Sequence, residues 1–342
     1  MRNEVWQQLL ALESVDIVRR WHESIHDRRL SSRRATEIVF AARQAREYFR
    51  NSANSDVTVR SLLTYYGIAS LSRSALLLLK KGNGEESLAS GHGLRTTDWA
   101  STLSGEVSVA LGKLGSLRVQ TSAGLFTDLV RETRNGICIH INSAAVEWRI
   151  GYDVPELGEE LALGCLLSRI PDVSRISSAF LTTRCTPVNE LTYTREAGFA
   201  AKVDSASFEA FHSIYTDRGF SLTQMGAVTS VACDAFTFDS ATPQFLHTYV
   251  NKMFGAIPTL YIVEPLTAQS NYSQLAVTYA LSYFLGMLTR YFPTQWISLL
   301  NGMKGDELAP SIHAAQTYVE ESFPELTIEL LRDTLKECGG RP

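Results

Sequence analysis

Between Arg33 and Arg50 the apolar side chains Ala35, Ile38, Val39, Ala42, Ala45 and Phe49 return every three or four positions, with arginine and glutamate between them. That spacing predicts an amphipathic helix with one stripe turned to a core. A second helix is predicted from Asp56, a good N-cap, through Leu62, Leu63, Tyr66, Ala69 and Leu76 to Lys80 and Lys81, ended by Gly82-Asn83-Gly84. Its apolar residues run nearly all round, which predicts a central position. The period then shortens to two. Glu106 to Ala110, Leu117 to Thr121, Ile137 to Ile141, Leu191 to Arg195, Ala227 to Cys233 and Leu260 to Val263 read as strands, interrupted by a short helix around Leu157 to Leu167. From Tyr272 the helical period returns through Leu275, Tyr279, Leu285 and Leu288. A further helix is expected from Ser311 to about Phe323. Another is expected to open at Pro324, because a missing N–H costs nothing in a first turn, and to carry Leu326, Leu330, Leu331 and Leu335.

The pattern as a whole is α+β. A helical segment at 1–100 and another at 266–342 are expected to pack together, flanking a sheet-containing middle at 101–265. There is no internal repeat, low-complexity tract or obvious linker.

Composition changes this picture little. With 342 residues, 45% of them hydrophobic and 20% charged, the chain can bury a core without disulfides or metals. The five cysteines, Cys138, Cys165, Cys185, Cys233 and Cys338, are scattered and never form a CxxC pair, which suits a reducing cytosol and argues against a structural zinc site. Met1-Arg2-Asn3-Glu4 opens no apolar run of signal-peptide length, so a cytoplasmic location is expected. Leu266 to Thr289 carries no charge, yet Gln269, Asn271, Ser273, Gln274, Thr278 and Ser282 make it too polar for a membrane span; no transmembrane segment is expected there, only a buried helix.

A net charge of −4 provides no global attraction to nucleic acid or anionic membranes, so any such contact must be local. The strongest basic cluster is Arg19, Arg20, Arg28, Arg29, Arg33 and Arg34, offset only by Glu23 and Asp27. The planar fork of arginine grips two oxygens at once, which makes Arg28, Arg29, Arg33 and Arg34 candidates for an anionic partner: lipid, nucleic acid or an acidic protein surface. A solvated face laced with local ion pairs is the simpler reading.

Familiar catalytic signatures are missing. There is no GxxxxGK[ST], GxSxG or HExxH, and Gly112-Lys113-Leu114-Gly115-Ser116 has phosphate-loop letters in the wrong order. No lysine follows an acidic residue by two positions, the spacing of restriction-type nucleases. Arg134-Asn135 with His140 resembles the Arg-Asn…His motif of HEPN-type ribonucleases. That motif belongs on a helix, whereas the alternation from Ile137 to Ile141 predicts a strand and a structural histidine. His22 and His26, four apart, could share a helical face with Glu23 and Asp27 nearby, but no third ligand is positioned, so no metal and no cofactor are expected.

Tyr65-Tyr66-Gly67, within Ser61-Leu62-Leu63-Thr64-Tyr65-Tyr66-Gly67-Ile68-Ala69-Ser70-Leu71, resembles the YaaC-like family. The resemblance continues in order through Ala45, Tyr48 and Phe49 upstream, His92-Gly93-Leu94 downstream, and Met287-Leu288-Thr289-Arg290-Tyr291-Phe292-Pro293 with Trp296 near the end. It covers both helical ends and is weakest from about Gly105 to Pro265. The family implies no established enzymatic chemistry. One branch resembles the sensor component of the two-protein Juk anti-phage system. That branch implies a non-enzymatic sensor or adaptor that recognises a phage-derived or infection-linked component and recruits a second defence protein encoded nearby. The alternatives are a nuclease or other hydrolase whose site is not visible as a motif, and a housekeeping adaptor without a defence role. For Tyr65, Tyr66, Gly67, His92, Gly93, Arg290, Tyr291, Pro293 and Trp296 the favoured reading is packing of the two helical ends. Arg290 is expected to offset a helix dipole and Trp296 to close the core.

Overall fold

The computed structural model describes residues 3–82, 84–136, 151–177, 181–209, 212–241, 261–266 and 270–339. Two short helices, α1 (Asn3–Leu9) and α2 (Val15–His26), lead into a long antiparallel pair, α3 (Ser32–Asn54) and α4 (Val57–Leu79). Their starts are written in the sequence. The side chains of Ser14, Ser31 and Asp56 accept hydrogen bonds from the backbone N–H groups of Ile17, Arg34 and Thr58 respectively, satisfying donors that a first turn leaves free. The predicted stripe of α3, from Ala35 to Phe49, is buried against α4. By length and composition α4 could cross a membrane, but most of it lies inside the fold, wrapped by α3 and the C-terminal helices.

The chain then forms an antiparallel sheet of three strands. Strand β1 (His92–Thr97) is followed by one-turn helices α5 (Trp99–Thr102) and α6 (Val107–Leu111), then by β2 (Arg118–Gly124) and helix α7 (Leu125–Glu132); β3 (Glu160–Ala162) completes the order β1-β2-β3. Two expectations are corrected here. Glu106 to Ala110 is not a strand: Ala110 and Leu111 are buried while Val109 is 52% exposed, a one-sided helical turn that period two cannot produce. Of the helix expected over Leu157 to Leu167, residues 160–162 are strand, because Leu161 lies opposite Val119 and only the last turn, α8 (Leu163–Leu167), is helical. Strand β1 had no period-two signal of its own; His92-Gly93-Leu94 begins at a bulge in its pairing with β2.

After α9 (Pro171–Ser177) a second antiparallel sheet forms. Its members are β4 (Cys185–Thr194), β5 (Gly198–Asp204), helices α10 (Ser205–Phe208) and α11 (His212–Thr216), the hairpin β6 (Ser221–Met225) and β7 (Val228–Cys233), helix α12 (Ala235–Ala241) and β8 (Tyr261–Val263), with strand order β6-β7-β5-β4-β8. This sheet packs a small core of its own from Val188, Phe199, Val203, Phe208, Phe220 and Val231, whereas the three-stranded sheet shares the large core of the helices. The strand expected over Ile137 to Ile141 lies outside the described residues.

The C-terminal helices are α13 (Gln274–Tyr291), α14 (Pro293–Leu300) and α15 (Ala309–Glu337). From Gln274 to Thr289 every residue of α13 is buried, so the uncharged stretch is a core helix, packed between α4 and α15. The third correction concerns Pro324. Helix α15 runs straight through it, and Pro324 is buried inside the helix. Its core stripe, Ile312, Ala315, Val319, Phe323 and Leu326, continues across the proline without a change of phase, so burial outweighs the one backbone hydrogen bond that proline lacks.

Candidate functional site

The residues singled out at both ends of the sequence meet at one place. Helix α4 lies directly on α13 because Gly286 has no side chain: a Cβ there would stand 2.8 Å from the Tyr65 Cβ. On the opposite side, a Cβ on Gly67 would meet the Phe49 ring at 2.7 Å, so that glycine admits α3 with equal closeness. Tyr65, fully buried, is thereby wedged edge-on between Tyr279 and Tyr283 of α13, with ring centroids 6.1 and 5.5 Å away. Spacings of four, three and four residues put Tyr279, Tyr283, Gly286 and Arg290 along one face of α13.

At the outer end of this wedge stands His92. Its bulged strand needs Gly93 in the left-handed region, φ 79°, and a Cβ there would meet the Phe126 backbone nitrogen at 2.6 Å. The Tyr65 hydroxyl lies 2.6 Å from His92 Nδ1. We assign the phenol as donor, since a neutral imidazole nitrogen accepts better than a phenol oxygen, and this leaves the ring proton on Nε2. Burial pushes the Tyr65 phenol well above its ordinary pKa, so it remains a donor. Burial lowers the His92 pKa, helped by the charge of Arg290, which keeps the ring neutral. The Tyr279 hydroxyl donates to the His92 carbonyl at 3.3 Å.

Arg290 completes the group. Its Nη1 donates to the Tyr66 hydroxyl at 2.9 Å, and its guanidinium carbon lies 5.0 Å from the centroid of the Tyr291 ring, itself 58% exposed. Tyr66 also packs on Tyr48 at 5.6 Å. Arg33, Arg46, Arg118 and Arg169 each meet a carboxylate. Among the described residues none pairs with Arg290. Pro293 opens α14 at its first turn, and buried Trp296 donates Nε1 to the Thr58 carbonyl at 3.0 Å, fixing α14 to the start of α4.

The N-terminal arginines differ in their surroundings, and one of them, Arg34, is withdrawn from the surface. Arg28 and Arg29 are exposed, and Arg33 is paired with Glu37 at 2.8 Å and Glu86 at 3.0 Å. Arg34 is buried: Nε and Nη2 donate to the Leu77 carbonyl at 3.0 and 2.7 Å, and its other N–H groups reach the carbonyls of Lys80 and Gly82. It caps the C-terminus of α4, a role no local pattern announced. His26 serves the same end, its Nε2 donating to the Leu78 carbonyl at 3.0 Å, and its ring lies 4.4 Å from that of His22, whose Nδ1 donates to the Arg28 carbonyl. Among the described residues no three His, Cys, Asp or Glu side chains group as metal ligands.

Of the Arg134-Asn135…His140 motif, Arg134 and Asn135 sit in a left-handed turn after α7 rather than on a helix. Asn135 is fully buried; its amide donates to the carbonyls of Asp153 and Asn271 and its oxygen accepts from the Ser273 N–H, bracing the start of α13. His140 lies outside the described residues.

Comparison with protein families matches residues 10–331 to the YaaC-like protein family. No curated protein matches the chain. No solved structure does so either.

Proposed function

Taking as premise that the chain belongs to the YaaC-like family, we propose that it is a non-enzymatic sensor or adaptor of bacterial anti-phage defence, in the manner of JukA, the sensor component of the Juk system. It recognises an infection-linked component and recruits a second protein, encoded nearby, that supplies the toxicity. One observation carries this reading. The family-pattern residues of α4, β1 and α13 converge on a surface where Tyr66, His92, Arg290 and Tyr291 stand together, a chemistry suited to recognition. The buried side of the same cluster joins the two helical ends, so occupancy of the surface bears directly on the contact between α4 and α13.

The test is phage challenge of cells carrying this protein, its genetic neighbour, or both, with the purified pair mixed to detect a complex. Protection requiring both, together with direct binding, supports the proposal. Protection by this chain alone sinks it and reopens the search for a catalytic site.

A further inference from the structure

We propose that the surface formed by Tyr66, His92 and Arg290 binds the phosphate group of a small phosphomonoester. The inference rests on the recognition role assigned to this surface and names its ligand. Its basis is an imbalance of donors and acceptors. Arg290 has only N–H groups to offer, one of them engaged by Tyr66. The Tyr66 oxygen already accepts that bond, which leaves its own hydrogen to donate. His92 Nδ1 is occupied by Tyr65, which leaves Nε2–H as the donor that this exposed residue still has to offer. Three side chains from three elements therefore present donors, and their acceptors are in use. A neutral ligand rich in donors has nothing to bind here. An anion with several oxygens satisfies all three, and a phosphomonoester offers three oxygens on one centre.

The charge is left available as well. Arg290 is held by aromatic rings instead of a carboxylate among the described residues, so no internal anion must be displaced. Arg290 is bonded to Tyr66 and His92 to Tyr65, so the guanidinium and the imidazole are attached to consecutive residues of α4. The Tyr291 ring, stacked beneath the guanidinium and exposed, supplies an apolar face next to the anion for the organic part of the ligand.

Isothermal titration of the full chain with adenosine monophosphate, inorganic phosphate and adenosine tests this, alongside co-sedimentation with phosphatidylglycerol vesicles. Adenosine monophosphate or inorganic phosphate is expected to bind one site per chain, with adenosine far weaker. Arg290→Gln should weaken binding at least tenfold, about 1.4 kcal/mol. His92→Asn, whose side-chain oxygen can still accept from Tyr65 but which is too short to place a donor where Nε2–H stands, should weaken it several-fold. Both side chains are exposed, and unchanged circular dichroism and Tm will show that the variants fold. Absence of phosphate binding to the wild type, binding unaffected by both substitutions, or binding to vesicles without binding to the soluble ligands would each overturn the proposal. Phage protection by the Arg290→Gln variant separates the two readings. Lost protection without phosphate binding leaves the recognition surface standing and removes this ligand; retained protection with lost phosphate binding keeps the ligand and removes the sensing role.

Discussion

Arg34 provides the sharpest test of how the helical frame is held. Helix α4 ends at Leu79 with an extended residue, Lys80, rather than a left-handed glycine, so its last carbonyls need outside donors. Arg34 supplies them to Leu77, Lys80 and Gly82. Replacing it with Met preserves the aliphatic stem and removes every donor. Gly82 is exposed and Lys80 half-buried, so water takes over at those two; Leu77 is fully buried and its carbonyl remains orphaned. One unsatisfied buried acceptor costs about 1–3 kcal/mol, and the lost charge-assisted bonds add a similar amount. Relief of the buried guanidinium's desolvation offsets part of this; that same burial lowers the Arg34 pKa. The expected net loss is about 2–4 kcal/mol. Urea unfolding followed by circular dichroism measures it, with Arg28→Gln as an exposed control expected within about 0.5 kcal/mol of wild type. If Arg34→Met matches that control in stability, the capping account is wrong and Arg34 is free to serve a partner.

Three further outcomes follow from the same geometry. Gly286→Ala gains about 1 kcal/mol of helix propensity but sets a Cβ 2.8 Å from the Tyr65 Cβ, an overpacking worth about 1–3 kcal/mol; a lowered Tm is expected, and a raised one would show that α4 and α13 are not in tight contact. Asn135→Ala should destabilise by about 2–4 kcal/mol in chemical denaturation, since three backbone partners, those of Asn271 and Ser273 buried, lose their bonds, whereas His140→Ala should leave phage protection intact; the reverse result would revive the ribonuclease reading. Burial lowers the His22 pKa from 6.5 to about 4, so the unfolded chain takes up its proton first as pH falls. That stability is complete above pH 6.5 and is lost as pH falls from there through about 4, by at most about 3 kcal/mol; His22→Asn should flatten this part of the pH profile, and an unchanged slope in urea melts at pH 7.5, 6 and 5 would contradict it.

The sequence by itself determined the elements whose evidence is local. The stripe of α3, the Asp56 cap of α4, the uncharged core helix α13 and the alternation in β2 and β7 all rest on neighbours within a turn or a strand, and they stand in the structure close to where periodicity puts them. The same logic failed where distant packing overrides local preference. Pro324 did not end α15 because a continuous buried stripe outweighs one missing hydrogen bond, and Glu106 to Ala110 was too short to tell period two from a helical turn. Strand β1 carried no alternation of its own and exists because β2 pairs with it. An isolated glycine in a helical pattern was a readable hint at Gly286, but what it touches was not readable. The candidate site was legible only as separate names: Tyr65, Tyr66, His92 and Arg290 stood out, yet nothing local says that residues 66 and 290 share a hydrogen bond. Nor could composition distinguish exposed Arg28 from buried Arg34, because the carbonyls that claim Arg34 lie more than forty residues along the chain. Which arginine faces solvent is decided by the three-dimensional placement of hydrogen-bond partners, and only the tertiary structure decides that.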